Sequence, residues 1–219
     1  MKKFALLAGF ASLALAASVS SAAIVITEVM SSSGTGGTPD WFEVTNTGNT
    51  SESVAGFRYD DSTFGVPATV IVDLLGVSTI APGESVIFFE SAAPLIEAPQ
   101  FRTFWNLPGS VQVGTFTGSG VSLGSGGDAV VIFTGSNVEV TRVTFGAATT
   151  GSSFVRTGTG TVLSTLAQVG VDGAYSVNAA FALNPTPVTN IASPGLIPEP
   201  TVLGLIAAGS LAMLRRRRA

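Results

Sequence analysis

Short β-branched and aromatic runs, separated at intervals of roughly 8 to 12 residues by glycine, proline, asparagine and aspartate, dominate the middle of this chain. Ile24 to Met30, Asp40 to Asn46, Val54 to Tyr59, Val70 to Leu74 and Val86 to Glu90 each carry that character. Thr47-Gly48-Asn49 and Asp60-Asp61-Ser62 stand between runs as turns. In Ile80-Ala81-Pro82-Gly83-Glu84, proline presets φ and glycine accepts the positive φ of a type II turn. Asp128 to Thr134, Gly135-Ser136-Asn137 and Val138 to Phe145 form a hairpin signature. Strands this short cannot be buried singly, so the spacing predicts an all-β, two-sheet sandwich around one core. One short helix is expected at Phe101 to Leu107, where Phe101, Phe104 and Trp105 recur at helical spacing before Pro108-Gly109.

The chain ends are of a different kind. Lys2 and Lys3, the apolar stretch Phe4 to Ala17 and the small residues Ser20-Ser21-Ala22-Ala23 read as a secretory signal cleaved after Ala22 or Ala23 by signal peptidase. At the other end Ile197-Pro198-Glu199-Pro200 precedes an apolar run, Thr201 to Leu214, and then Arg215, Arg216, Arg217 and Arg218. As a helix that run is about 21 Å long against a hydrocarbon core of about 30 Å, so it spans only with thinning or arginine snorkelling. The arginine cluster keeps the terminus in the cytoplasm and everything before Pro198 outside. The expected organisation is a leader over 1–22, a β-sandwich over 23–196 and a tail over 197–219 with its transmembrane helix at 201–214.

Composition excludes much chemistry. The chain has no cysteine and no histidine, which removes disulfides, thiolate and imidazole metal sites and the Ser-His and Cys-His nucleophile systems. Without the two ends, the four arginines Arg58, Arg102, Arg142 and Arg156 face thirteen acidic residues, a formal charge of −9 with no lysine. That balance argues against nucleic acid as a partner. No cofactor is expected and no metal-binding motif is present, because Asp60, Asp61 and Asp73 lack the alternating pattern of an EF-hand loop and read as turn residues. An acidic surface could still attract divalent cations in a polyanionic matrix.

Glu28 and Glu43 lie on two early strands that could pair. Two neighbouring carboxylates can act as acid and base on a glycosidic bond, or they can hydrogen-bond backbone or arginine and fix the sandwich. Trp41, Trp105, Tyr59 and Tyr175 could stack on sugars if exposed, or fill the core. Gly124-Ser125-Gly126-Gly127 lacks the Lys-Ser/Thr ending of a phosphate loop and serves a turn. Asp128 and Asp172-Gly173 read as local backbone chemistry.

Two resemblances add to this reading. Pro198-Glu199-Pro200, the apolar run and the terminal arginines resemble the PEP-CTERM sorting signal, over about 23 residues. That resemblance implies recognition of Pro198, Glu199 and Pro200 by an exosortase, a membrane-embedded processing protease, in an envelope that produces exopolysaccharide. The runs Ile26-Thr27-Glu28-Val29, Asp40 to Asn46, Gly56-Phe57, Ile80 to Glu84 and Gly127 to Ile132 resemble, in order, the lamin tail domain, an immunoglobulin-like sandwich. Asn184 to Gly195, with Ser193-Pro194-Gly195, looks like the end of such a domain before a sorting tail. The expectation is a noncatalytic exported cell-surface or biofilm-matrix protein, held transiently at the membrane and then cut by an exosortase. A carbohydrate-binding module of the exopolysaccharide matrix and a carboxylate-dependent hydrolase remain as alternatives.

Overall fold

A computed structural model describes residues 24–196 except 62–70, 119, 183 and 185. The leader residues, including Ala22 and Ala23, lie outside that range, as do Pro198, Glu199, Pro200, the 201–214 segment and Arg215 to Arg218.

Strands β1 (Ile24–Met30) and β2 (Trp41–Asn46) pair antiparallel, and the chain then makes a two-residue strand β3 (Glu52–Ser53) and β4 (Arg58–Asp60). The run read as one strand from Val54 to Tyr59 is therefore broken. Phe57 N–H closes on Val54 O at 3.0 Å, so Val54 to Phe57 is a turn that moves the chain from one sheet to the other. Strands β5 (Val72–Asp73) and β6 (Thr79–Ile80) lead into the turn at Ala81–Glu84, where Gly83 has φ +72° and Glu84 N–H donates to Ala81 O at 3.0 Å. The type II geometry expected of Pro82-Gly83 is what forms. Strand β7 (Ser85–Glu90) follows.

The helix is longer than its aromatic spacing indicates: α1 runs Pro94–Trp105, seven residues further upstream than expected. Pro94 stands in its first turn, where a missing N–H costs nothing, and Glu97 reaches back to accept from Ala93 N–H (3.3 Å) and Ser91 Oγ (2.5 Å). Asn106 ends it in the left-handed region at φ 50°. The helix has a topological cause. Strand β8 (Gln112–Phe116) pairs parallel with β7, and parallel neighbours need a crossover, which α1 supplies. The length of residues 91–124 follows from that connection.

The expected hairpin forms as β9 (Asp128–Phe133) and β10 (Glu139–Phe145), with Asn137 at φ 61° in its turn. The weakly patterned stretch 147–180 holds β11 (Phe154–Val155), β12 (Val162–Leu163), β13 (Thr165–Leu166) and β14 (Tyr175–Ala179), and β15 (Val188–Ala192) pairs antiparallel with β14.

These strands build an immunoglobulin-like β-sandwich. One sheet has six strands in the order β13-β11-β1-β2-β7-β8, and the other has five in the order β12-β10-β9-β4-β5. Between them Phe42, Val44, Val86 and Phe88 of the first sheet meet Tyr59, Val130, Ile132 and Val143 of the second. Phe42, Tyr59 and Phe116 pack ring to ring at 4.8 to 5.4 Å.

The single core expected from alternation is a correction. The other face of the six-stranded sheet is also covered, by α1 and the β14–β15 hairpin, over a second core of Met30, Trp41, Ile87, Phe89, Phe101, Phe104 and Trp105. Trp41 lies edge-on to Phe101 (6.1 Å) and Trp105 (5.8 Å), and Phe89 stacks on Phe101 at 4.8 Å. Tyr175 Oη donates to Trp105 O at 2.6 Å, tying the hairpin to the helix end. Strand β2 is buried at all six positions because both faces are packed, so it reads Trp-Phe rather than apolar-polar at its start.

Candidate functional site

The polar part of the twice-covered sheet lies at Glu28 and Glu43. Alternation alone would place Thr27 and Glu28 on opposite faces, but the β1–β2 register slips between Ile26 and Glu28. This bulge lets Ile26 and Val29 both enter the inter-sheet core while the two polar residues between them avoid it. Glu28 then stands directly opposite Glu43 in the ladder, and each is only 1% exposed.

Every carboxylate oxygen of the pair has a donor. Glu28 Oε1 accepts from Ser153 Oγ (2.5 Å) and Ser193 N–H (2.8 Å), and its Oε2 accepts from Ser193 Oγ at 3.0 Å. Glu43 Oε1 accepts from Thr27 Oγ1 (2.6 Å), and its Oε2 accepts from Gly195 N–H at 2.6 Å. Thr27 Oγ1 is 2.9 Å from Thr45 Oγ1, which is 2.6 Å from Ser85 Oγ, so a file of hydroxyls crosses three strands and ends on Glu43. Burial holds both carboxyls well above the ordinary range, and the neighbouring Glu28 charge raises Glu43 further, against the opposing pull of these hydrogen bonds.

The two glutamates thus clamp the segment Ser193–Gly195 that follows β15. Of the two sequence readings, this is the structural one, with one change: the partners are backbone N–H groups and hydroxyls, and no arginine takes part among the described residues. A cavity of about 100 Å3 adjoins the pair, bordered by Arg156, Leu166, Val171 and Asp172. It has room for water and none for a sugar ring, since ligand sites start at roughly 300 Å3. Retaining or inverting hydrolysis needs substrate between two accessible carboxyls, and here Ser193 and Gly195 occupy that position.

The other candidates disperse. Trp41, Trp105 and Tyr59 are fully buried and Tyr175 is half-buried with its hydroxyl spent on Trp105 O, so these rings form no sugar-stacking platform. Asp73 pairs with Arg58 at 3.2 Å, and Asp60 Oδ1 accepts from Asp61 N–H in a local turn. Among the described residues, no group of three or more acidic side chains is placed to hold a metal ion. Asp128 caps its own loop, accepting from Gly124 N–H (2.6 Å) and Ala129 N–H (2.8 Å). Among the described residues no helix is long and apolar enough to cross a membrane.

One titratable group escaped sequence reading. Asp40, just before β2, is pushed up to about 7 by burial first and then by the charges of Glu90 and Asp128. Nothing in its sequence neighbourhood signals this, because Glu90 and Asp128 reach it only through the pairing of distant strands. The clamp partners Ser153, Ser193 and Gly195 were likewise invisible as partners, although Ser193-Pro194-Gly195 stood out as a domain ending.

No curated relative matches the chain. A sequence model of the lamin tail domain matches residues 17–147, more than half of the 219. That stretch contains both clamp glutamates, the Ala81–Glu84 turn and the β9–β10 hairpin, and with the immunoglobulin-like sandwich around them it establishes that the chain belongs to the lamin tail domain family.

Proposed function

We propose that this is a noncatalytic exported envelope protein, a lamin tail domain sandwich delivered by the leader ending at Ala22 or Ala23 and sorted by its C-terminal tail. An exosortase-like protease reads Pro198, Glu199 and Pro200 and cuts near them. The apolar run 201–214 holds the chain at the membrane until then, with Arg215 to Arg218 fixing its orientation, and the released sandwich joins the cell surface or the exopolysaccharide matrix.

The observation that carries the noncatalytic reading is the clamp. The carboxylate pair best suited to acid–base work is roofed by Ser193 and Gly195 and has every oxygen engaged. The family is in general noncatalytic. The same clamp pins the chain at Gly195, three residues before Pro198, so the domain is closed just ahead of the motif. Glu199 is flanked by a proline on each side, a sequence that disfavours helix.

The test is the mass and cellular location of the C terminus in the native host, with and without its exosortase and with Glu199→Ala. Loss of residues 201–219 that requires both supports sorting. An intact tail in every sample contradicts it and leaves a membrane-held domain facing outward.

A further inference from the structure

Arginine placement is uneven in this acidic domain. Arg58 pairs with Asp73 and also donates to Asn137 Oδ1 at 2.6 Å, and Arg142 pairs with Glu139. Arg102 makes one long bond to Pro108 O at 3.4 Å and has no carboxylate within ion-pair distance among the described residues, and Arg156 likewise stands apart from the acids. It follows β11, where its backbone N–H donates to Thr27 O at 2.8 Å, and its Nη1 makes one long bond to Ile26 O at 3.3 Å. No carboxylate stands within ion-pair distance of it among the described residues. Burial disfavours its charged form, with no acid compensating.

This guanidinium borders a groove of about 470 Å3 whose other walls are Val25, Thr27, Thr45, Thr47, Gly158 and Thr159. The volume lies within the range of roughly 300–1,000 Å3 usual for small-molecule sites. The floor is the outer face of β1 and β2, where Val25 and Thr45 are register partners. The wall carries a cation, hydroxyls and no carboxylate among the described residues, in a domain whose residues 24–198 sum to −9. A Cβ at Gly158 would meet nothing within 4 Å, so the mouth is open.

Donor accounting narrows the ligand. With Nη1 spent on Ile26 O, Nε and Nη2 of Arg156 remain as a planar fork that matches two carboxylate oxygens. Thr27 spends its hydroxyl hydrogen on Glu43 and, like Thr45, is buried, whereas Thr47 and Thr159 on the same wall are exposed and present their side chains to the groove. A ligand that offers one carboxylate beside several hydroxyl donors satisfies both walls.

We infer that the groove beside Arg156 is a binding site for a carboxylate-bearing sugar unit, with Arg156 taking the carboxylate and the exposed Thr47 and Thr159 facing the ring hydroxyls. The site deepens the matrix role proposed above by giving it a ligand class, and it shares Thr27 and Arg156 with the small cavity at Glu28 and Glu43. Binding is read on purified protein and tail processing in the host, so either can fail without the other.

Calorimetric titration of the full-length chain in detergent micelles with a galacturonate oligomer tests the site. The expected result is saturable binding that weakens at least about tenfold in Arg156→Gln and with the methyl-esterified oligomer, since each removes a charged hydrogen-bonded contact. Acetate alone and inorganic sulfate are expected to compete poorly, because neither spans from Arg156 to the exposed threonines of the wall. Binding that is unchanged in Arg156→Gln, equal for the esterified oligomer, or abolished equally by acetate or sulfate overturns the inference, as does no saturable binding. Should Arg156→Gln fail to fold, Thr159→Trp, which fills the mouth from an exposed position, is expected to block the same binding.

Discussion

Glu28 and Ser193, 165 residues apart, share two hydrogen bonds in the interior: Ser193 donates its N–H at 2.8 Å to one carboxylate oxygen and its hydroxyl at 3.0 Å to the other. With Glu43 and Gly195 beside them, they join the first strand of the domain to its last described residues. Like charges directly opposite in a ladder are unfavourable, so this pair persists through the donors that surround it and through protonation.

Replacing Glu28 by alanine takes the carboxylate acceptor from Ser153 Oγ and from both Ser193 donors in the buried interior. Measured at pH 5, where protonation has relieved most of the burial cost of the pair, Glu28→Ala is expected to lose roughly 2–4 kcal/mol in urea unfolding. Stability equal to wild type at that pH would show that the clamp contributes little.

The raised carboxyls give the pH dependence a definite sign. Glu28, Glu43 and Asp40 bind protons more tightly folded than unfolded, so their contribution is fully present below the ordinary carboxylate values and is lost as pH rises through the folded values. With Asp40 pushed to about 7 and the pair also raised, the melting temperature is expected to fall steadily from pH 5 to pH 8. A flat or rising profile across that interval contradicts the electrostatics described here.

The second core is expected to be as important as the first. Phe101 is fully buried between Trp41 and Phe89, so Phe101→Ala should cost about 3–5 kcal/mol, while Leu95→Ala at the exposed start of the same helix should change stability by less than about 0.5 kcal/mol. Equal effects in thermal unfolding would mean that the helix does not belong to the cooperative unit.

Gly114 sits where β8 runs beside β7, and a Cβ there would lie 2.4 Å from Leu75 O and 2.6 Å from the Phe88 ring. Gly114→Ala therefore displaces a backbone carbonyl or a core ring. We expect a loss of about 1–3 kcal/mol in denaturant unfolding, the usual cost of overpacking.

Local signals were legible and long-range ones were not. Ile24 to Met30, the Pro82-Gly83 turn and the hairpin closed at Asn137 each depend on residues within a few positions of one another, and the sequence reading places them closely. Strands β11, β12 and β13 have two residues each, too few for a period of two to register; β11 and β12 form on the edges of the longer β1 and β10, and β13 adds to β11. The third layer was hidden for a related reason: adjacent Trp41 and Phe42 break alternation, and only the crossover through α1 shows which ring belongs to which core. For the clamp, both glutamates and the Ser193-Pro194-Gly195 ending were conspicuous separately. No sequence spacing links residues 152 and 165 positions apart.

The clamp is the claim on which the noncatalytic reading stands, and amide hydrogen exchange at Ser193 and Gly195 tests it most directly. The account predicts protection at both amides close to that of the β2 backbone, and its selective loss at Gly195 in Glu43→Ala. Exchange at both amides at the rate of an open loop in the unaltered protein would contradict it, and would return Glu28 and Glu43 to consideration as an accessible acid–base pair.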